Sequence, residues 1–354
     1  MRIGLDATPL LGNRTGVGRY TLALLRALAA HDDELVATAF TFRGREALPA
    51  VVPEGVRVAA RPAPARGLQE AWARVEWPPV ELLAGKLDVF HATNFVLPPL
   101  RRAAGVVTIH DLSYLRMPET VSSASARYRT LVPRSLRRAS VVITPSTAVA
   151  EQVREEYDVR APIVVTPLGV DPEWYTAAPP DEALRASLGL PPSYLVFVGT
   201  LEPRKDLGTL LAAHRLLPDA PPLVLVGPTG WGEQVDVSGC VTPGFLDDER
   251  LRAVVAGASA LVLPSRDEGF GIPVVEALAA GTPVVASDLP VLREVGGTVT
   301  SYAEQGSPAA FAAALERVLG DPGDPRARRR HAAQFTWERC AELTRQAYRL
   351  ALGS

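Results

Sequence analysis

Short runs of apolar and β-branched residues alternate with helical stretches along the first half of the chain. This alternation is typical of parallel sheets built from βαβ units, in which each strand is followed by a helix. The runs predict seven strands, which cover residues 2–6, 35–40, 56–60, 88–92, 106–110, 141–144 and 163–167. We therefore expect a doubly wound α/β domain over residues 1–172.

A second series of apolar runs follows a stretch rich in Pro, Ala and Asp at residues 173–193, which we expect to be a linker. Pro308 and Gly320 bound a further helix, and Thr336 is the expected N-cap of a last amphipathic helix. These patterns predict a second Rossmann-like domain over 194–335 and a C-terminal helix over 336–354. The strands predicted in this domain cover residues 194–198, 223–226, 261–264 and 283–286.

Length and charge exclude several classes of protein. A chain of 354 residues suggests roughly two domains of about 150 residues each. A formal net charge of −2 and only five Trp give no basic field with aromatic platforms, so we expect no nucleic-acid partner. The chain has no run of about 18 apolar residues and no signal-peptide pattern, which favours a cytoplasmic protein.

The loop before the predicted helix 273–280 combines glycines with two glutamates. Gly269 and Gly271 let the backbone approach a ligand, and the N-terminus of the helix offers unsatisfied amides to an anion. Glu276 is the one polar residue of that helix, so its burial would require polar partners such as sugar hydroxyls. Alternatively, Glu276 only stabilises the N-terminal end of the helix through its dipole, and Glu268 is a solvated loop residue.

Two adjacent cations, Arg204 and Lys205, follow the predicted strand 194–198. Ligands of open α/β sheets bind outside the carboxyl ends of strands, where such cations could hold a pyrophosphate. A solvated charge pair is the alternative. Composition favours the binding role, because only two of the 37 basic residues are Lys, Lys86 and Lys205, and one of them stands beside Arg204. Lys carries a compact point charge and Arg a planar one, so the pair suggests a site that needs both kinds of cation.

Glycine and histidine residues mark two further candidate positions in the first domain. Gly16 lies in a loop after the first strand, but the third glycine of a dinucleotide fingerprint is missing because residue 21 is Thr. His110 ends a predicted buried strand, where it could bond a sugar hydroxyl or serve only as a structural hydrogen-bonder. His91 ends another strand and is a lesser candidate.

The segment from Glu268 to Glu276 resembles a known signature. With Gly-Phe-Gly-Ile-Pro inside it and Ala-x-Ala-x-Gly-x-Pro-Val-Val-Ala-Ser after it, it is similar to the donor motif of family 4 retaining glycosyltransferases of the GT-B fold. The similarity covers nearly the whole chain. It implies two Rossmann-like domains, acceptor side first, with catalysis in the cleft between them and the last helix crossing back to the first domain.

The resemblance also implies roles for particular residues. Glu268 would contact the transferred hexose and Glu276 the ribose, because a second carboxylate aimed at a pyrophosphate would repel it. The implied donor-binding residues are Gly16, Arg204, Lys205, Glu268, Gly269, Phe270, Gly271, Ile272 and Glu276. The implied catalytic residues are His110, Arg204, Lys205 and Glu268.

By this resemblance the chain transfers a hexose from a nucleotide sugar to a glycan, lipid-linked or small-molecule acceptor with retention of configuration. Residues 110–119 are most like bacterial mannosyltransferases, which favours mannose from GDP-mannose, with a UDP- or ADP-sugar donor as the alternative. A nicotinamide-dependent oxidoreductase and a non-catalytic nucleotide-sugar-binding protein are the alternatives from other classes. We expect no metal or cofactor, since no Asp-x-Asp motif occurs and the fixed cations would replace one.

A basic stretch from Arg127 to Arg138 holds five arginines within twelve residues. It could contact an anionic membrane surface, which would place the protein peripherally at the inner face of the membrane. A solvated helix face is the alternative, because Pro133 interrupts the stretch and few apolar residues accompany the arginines.

Overall fold

The chain divides into two units in a computed structural model of the protein, which describes residues 1–12, 16–41, 44–59, 65–120, 125–232 and 235–353. The first unit comprises Met1–Leu115, Ser123–Gly169 and Thr336–Ser354, and the second comprises Arg116–Ser122 and Val170–Phe335. Each unit contains one parallel sheet with helices between its strands. The expected α/β class with two doubly wound sheets is confirmed.

Seven parallel strands form the sheet of the first unit, in the order β3-β2-β1-β4-β5-β6-β7. They are β1 Arg2–Asp6, β2 Glu34–Thr38, β3 Arg57–Val58, β4 Val89–Ala92, β5 Ala104–Thr108, β6 Val141–Thr144 and β7 Ile163–Val165. The chain builds outward on one side from β1 and on the other from β4, so the switch point of the sheet lies between these two strands. All residues of β4 and β6 are buried, as expected where helices cover both faces of a parallel sheet.

One strand boundary differs from the sequence prediction in a way that matters for the site. β5 begins at Ala104, which pairs with Val89, and it ends at Thr108 rather than at His110. His110 therefore lies two residues beyond the strand. The helices of this part of the chain are α1 Gly16–Ala29, α2 Gly44–Ala47, α3 Ala65–Arg74, α4 Glu81–Ala84, α5 Ser113–Arg116, α6 Tyr128–Arg138 and α7 Thr147–Glu156.

Six parallel strands form the sheet of the second unit, in the order β10-β9-β8-β11-β12-β13. They are β8 Leu195–Val198, β9 Leu223–Val226, β10 Val241–Gly244, β11 Ala260–Leu263, β12 Val284–Ser287 and β13 Ser301–Ala303. The sequence did not predict β10 and β13. Both are edge strands with mostly half-exposed residues, so neither carries the apolar run that marks a central strand. The switch point of this sheet lies between β8 and β11.

The helices of the second unit lie between and after these strands. The stretch 173–193 holds most of a short 3₁₀ helix, Pro172–Thr176, and the whole of α8. The helices are α8 Glu182–Leu188, α9 Leu207–Arg215, α10 Asp248–Ala256, α11 Ile272–Ala280, α12 Pro290–Gly296, α13 Pro308–Gly320 and α14 Pro325–Ala332.

The last helix, α15, spans Trp337–Leu352 and belongs to the first unit. The Thr336 side chain caps it by accepting a hydrogen bond from the Arg339 amide. Its buried face packs against β4 to β7. Among the described residues, no helix combines the length and the apolar character that crossing a membrane requires.

Candidate active site

The loop between β11 and α11 is shaped by glycine. Gly271 is the N-cap of α11 with φ of +89°, and a Cβ at this position would lie 2.6 Å from a side-chain carbon of Leu292. The positive φ therefore favours glycine here, and any larger residue would also have to displace the end of the Leu292 side chain. Pro273 occupies the first turn, where its missing N–H costs no hydrogen bond. The loop thus brings the N-terminal end of α11 to the carboxyl end of β11.

Glu268 lies in this loop but is not solvated, since only 6 % of its surface is exposed. Its Oε1 atom accepts a hydrogen bond from Lys205 Nζ at 2.6 Å and another from Ser265 Oγ at 2.7 Å. Arg204 lies 3.7 Å from its other carboxylate oxygen. Burial alone would raise the pKa of Glu268, but the Lys205 ammonium, the Arg204 guanidinium and the hydrogen bonds hold this pKa below its ordinary value.

Arg204 and Lys205 stand on a single 3₁₀ turn, Pro203–Lys205, in the loop that follows β8. The Arg204 guanidinium donates to the Asp267 carbonyl at 2.8 Å and to Glu202 Oε1 at 2.8 Å. The backbone carbonyl of Arg204 accepts from the Arg266 amide at 2.8 Å. These bonds join the loops that follow β8 and β11, two neighbouring strands on either side of the switch point.

The structure thus brings together three predicted residues that lie as much as 64 positions apart in sequence, Arg204, Lys205 and Glu268. Sequence reasoning missed two partners of this cluster, Glu202 and Ser265. Glu202 is 7 % exposed. In the sequence, only its position two residues before Arg204 indicated that it could be a partner of this cation. Because the two carboxylates balance the two cations, an anionic ligand must compete with Glu268 for Lys205.

Glu276 lies on α11 and is 3 % exposed among otherwise apolar residues. It is the fifth residue of the helix, and the first turn of α11 contains no acidic residue. The helix dipole acts on charges within the first turn, so it does not account for this glutamate. Gly269 and Phe270 precede the helix, and Phe270 is held by an edge-to-face contact with Phe335 at 5.7 Å between ring centroids.

His110 belongs to the first unit and is 8 % exposed. Its Nε2 atom donates a hydrogen bond to the Thr93 carbonyl at 2.7 Å, so a neutral ring carries its lone pair on Nδ1. Tyr20 and Phe95 meet the ring edge to face at centroid distances of 5.1 and 5.6 Å. Burial lowers the pKa of His110, and the hydrogen bond to Thr93 and the neighbouring Asp111 offset only part of this effect. The ring is therefore neutral at pH 7 and can accept a hydrogen bond.

His91 does not serve a ligand, which corrects its place as a lesser candidate. The side chain is fully buried, with Nδ1 2.8 Å from the Tyr348 hydroxyl and Nε2 2.7 Å from Thr108 Oγ1. Tyr20 joins the same network through Thr108 at 3.1 Å. Burial lowers the pKa of His91 to about 3, so the ring stays neutral. The network ties α15 to β4, β5 and α1.

Gly16 is the first residue of α1 and is exposed. The preceding loop residues 13–15, which carry part of the family resemblance, lie outside the described residues. In the parts of the chain that the structure describes, no cluster of three His, Cys, Asp or Glu side chains could hold a metal ion.

The basic stretch forms a 3₁₀ turn ending at Arg127, followed by α6, which runs through Pro133 without a break. The prediction that this proline interrupts the stretch is wrong, since Pro133 lies inside the helix. The apolar residues Leu131, Val132 and Leu136 are buried. Arg138 donates to the Leu97 carbonyl at 3.1 Å and to Glu76 at 2.9 Å. α6 therefore turns its apolar side to the core.

Comparison with known proteins gives the family. The model for Glycosyltransferase Family 4 matches residues 14–174, and the model for Glycosyl transferases group 1 matches residues 192–321. O-antigen chain mannosyltransferase B of Escherichia coli is 29% identical over 386 residues, which cover 99% of this chain and 100% of that protein.

Solved structures agree in fold. Sucrose-phosphate synthase from Thermosynechococcus elongatus superposes with a TM-score of 0.75 at 22% identity, over 98% of each chain. HepE of Anabaena in complex with UDP-glucose gives a TM-score of 0.70 at 19% identity, over 97% of this chain and 98% of that one. The family matches and the two doubly wound sheets together lead to one conclusion: the chain belongs to glycosyltransferase family 4 and is a glycosyltransferase of the GT-B fold.

Proposed function

We propose that the protein transfers a hexose from a nucleotide sugar to an acceptor with retention of anomeric configuration. One observation carries this proposal: Arg204, Lys205 and Glu268 form a single cluster at the N-terminal end of α11, in which Lys205 and Glu268 are buried and Arg204 is partly exposed. This combination suits a sugar diphosphate. The cations and the amides at the helix N-terminus bind phosphate, and the carboxylate binds sugar hydroxyls.

The donor is held by exchange of partners within this cluster. Lys205, which bonds Glu268 at 2.6 Å, turns to the diphosphate together with Arg204. Glu268 is then available to hexose hydroxyls, and the amides of residues 269–272 hold sugar and phosphate oxygens. The buried Glu276 takes the ribose hydroxyls, because its carboxylate would repel an anion such as the diphosphate.

The reaction follows a front-face course. The acceptor hydroxyl forms its bond to the anomeric carbon on the side from which the phosphate oxygen departs, and that phosphate oxygen takes the acceptor proton. Arg204 and Lys205 stabilise the negative charge that the leaving diphosphate gains, which removes the need for a metal ion. Neutral His110 accepts a hydrogen bond from a sugar hydroxyl through Nδ1. We assign Asp111 no role as the nucleophile of a double displacement; its Oδ1 accepts the amide and hydroxyl of Ser113 at 3.0 and 2.7 Å, which holds its side chain against its own loop.

Mannose from GDP-mannose is the donor we favour, because the full-length relative from Escherichia coli is a mannosyltransferase by name. A UDP-sugar is the second candidate, since the similar HepE structure contains UDP-glucose. The nucleobase would be read near Thr242–Leu246, where β10 ends and the Phe245 side chain is 60 % exposed.

The acceptor is a glycan, a lipid-linked sugar or a small molecule. If it is membrane-bound, the stretch 127–138 would attract the protein to anionic lipid by charge alone, because the apolar side chains of α6 are buried. Attraction of this kind is weak and disappears with added salt.

A thermal-shift panel with GDP, UDP, ADP and NAD tests the donor class. A ligand at about 100 times its dissociation constant adds roughly 2.7 kcal/mol to the free energy of unfolding. We expect stabilisation by GDP, or by UDP in the second case. Stabilisation by NAD alone would refute the proposal.

Turnover of the Lys205→Ala variant tests the cation assignment. Loss of the ammonium should lower the rate at least about tenfold, which corresponds to about 1.4 kcal/mol of barrier. Lys86→Ala is the matched control, because it removes the other lysine of the chain from an exposed position. Normal turnover of Lys205→Ala would contradict the assignment.

A further inference from the structure

The first unit contains a cavity of about 140 Å³, which is lined by none of the residues of the cluster described above. Asp6 ends β1 and Asn94 follows β4, so the cavity opens at the carboxyl ends of the two strands that flank the switch point. Open α/β sheets bind their ligands at this place. A cavity of this volume holds several water molecules and is large enough for a small ring.

One side of the cavity is polar. Asp6 is 8 % exposed, and its Oδ1 atom accepts the Thr8 amide at 2.9 Å. The Thr93 hydroxyl donates to the Asp6 carbonyl at 2.6 Å, which fixes the end of β1. The Asn94 side chain lies 3.4 Å from the Tyr128 hydroxyl. The Asp6 carboxylate can accept hydrogen bonds, and the Asn94 side-chain amide can both donate and accept them. Together these groups can bind neighbouring hydroxyls on one ligand.

Aromatic rings form the other side. Phe40 and Trp72 meet edge to face with centroids 5.0 Å apart, and both are buried. The indole N–H of Trp72 donates to the Pro78 carbonyl at 3.0 Å, so this ring presents apolar surface to the cavity rather than a donor. Gln69, one turn earlier on α3, adds an amide to the lining. Aromatic surface beside hydrogen-bonding groups is suited to a ring with apolar C–H faces and a polar rim.

Two residues, Thr93 and Phe95, contact both His110 and residues that line the cavity. The carbonyl of Thr93 accepts from His110 Nε2 at 2.7 Å, while the Thr93 hydroxyl holds the Asp6 backbone. Phe95 lies between His110 and Tyr128, at centroid distances of 5.6 and 4.6 Å. A ligand in the cavity is thus placed next to the histidine that the proposed function assigns to the reaction.

The charge of Asp6 limits the class of ligand that the cavity can bind. Burial raises the pKa of Asp6 to about 6, and among its neighbours only Thr8 lowers it. The group is nevertheless ionised at pH 7, so it repels a phosphate or a sugar acid. None of the described lining residues is Lys or Arg. An acyl chain would leave the carboxylate and the amides without partners, which costs several kcal/mol in a buried site.

We propose that this cavity binds one uncharged pyranose ring of the acceptor, with Asp6 accepting hydrogen bonds from its hydroxyls and Trp72 covering a C–H face. The proposal rests on the proposed function, and it adds that the acceptor is a neutral saccharide. Asp6, Gln69 and Trp72 are then the residues that determine acceptor specificity.

The test uses the full chain, its preferred nucleotide sugar and two sets of acceptors: methyl pyranosides of mannose, glucose and galactose, and the 6-phosphates of these sugars. We expect transfer to at least one neutral methyl pyranoside. Asp6→Asn should raise the KM for that acceptor at least about tenfold, because the charge-assisted hydrogen bonds are lost. Gln69→Ala should raise it several-fold. Thermal stabilisation by the nucleoside diphosphate should not change in either variant.

Glu70→Ala is the matched control, because Glu70 neighbours Gln69 on α3 but does not line the cavity and pairs with Arg74 at 2.6 Å. Glu70→Ala should change neither the KM for the acceptor nor the thermal stabilisation by the nucleoside diphosphate. Unaltered acceptor KM in Asp6→Asn and Gln69→Ala would overturn the proposal, as would transfer to the sugar phosphates alone or to none of the pyranosides. The half-buried Gln69 keeps the test decisive if Asp6→Asn does not fold. If no nucleoside diphosphate stabilises the unaltered protein, the proposed function itself fails.

Discussion

Replacing Asp6 by Asn should stabilise the first unit at neutral pH, although it removes a group that we assign to binding. Burial raises the pKa of Asp6 from 3.8 to about 6. A shift of about two units, at 1.36 kcal/mol each, means that keeping Asp6 ionised in the folded state costs about 3 kcal/mol. Asn retains the oxygen that accepts the Thr8 amide, so the substitution removes the charge and little else.

The sign of the pH dependence follows from the direction of the shift. Below about pH 4 Asp6 is protonated in both the folded and the unfolded chain, so Asp6→Asn should change the free energy of unfolding little. Between pH 4 and 6 the folded chain keeps a proton that the unfolded chain has lost. The gain in stability should therefore grow over this range and reach about 3 kcal/mol above pH 6.

Urea unfolding of both proteins at several pH values between 4 and 7.5 measures this gain. The difference between the two proteins is the quantity to follow, because other groups titrate in the same range. Asp33→Asn is a control of opposite sign: Asp33 accepts Arg345 at 2.8 Å and its pKa is lowered, so its loss should destabilise the protein at neutral pH. A gain for Asp6→Asn that is independent of pH, or a loss at pH 7.5, would refute the reasoning.

Three further predictions concern the site and its support. Lys205→Met should cost about 3 kcal/mol of unfolding free energy, because buried Glu268 loses the closer of its two cations and keeps only Arg204 at 3.7 Å, and adding Glu268→Gln should recover most of this loss in urea unfolding. Gly271→Ala should cost at least about 1 to 2 kcal/mol because of the positive φ, and should abolish thermal stabilisation by the nucleoside diphosphate. Because of His91, the protein should become less stable as pH falls from 6.5 towards 3, since the ring binds a proton in the unfolded chain but stays neutral in the folded chain. The Tyr348→Phe variant loses one hydrogen bond to this ring, so its unfolding free energy at pH 7 should be lower by about 1 kcal/mol.

Much of the fold could be predicted from the sequence, because central strands of parallel sheets are apolar along their whole length. β4, β6 and β11 are buried at every residue and were predicted within a residue of their bounds. β10 and β13 were missed, since edge strands are partly exposed and lack that pattern. The glycines and glutamates of the 268–276 segment also carried their own signal, because the local turn and the helix N-terminus depend on adjacent residues.

Only the tertiary structure decided which side chains meet. The bond between Lys205 and Glu268 spans 63 positions, and it forms because β8 and β11 are neighbours in the sheet although β9 and β10 come between them in sequence. His91, similar to His110 in sequence position, proved to be buried against Tyr348, 257 residues away. The pocket formed by Asp6, Asn94 and Trp72 gave no sequence signal, since its residues come from β1, the loop after β4 and α3. Local patterns record how each segment folds, whereas a binding site depends on the order of strands in the sheet, which long-range packing sets.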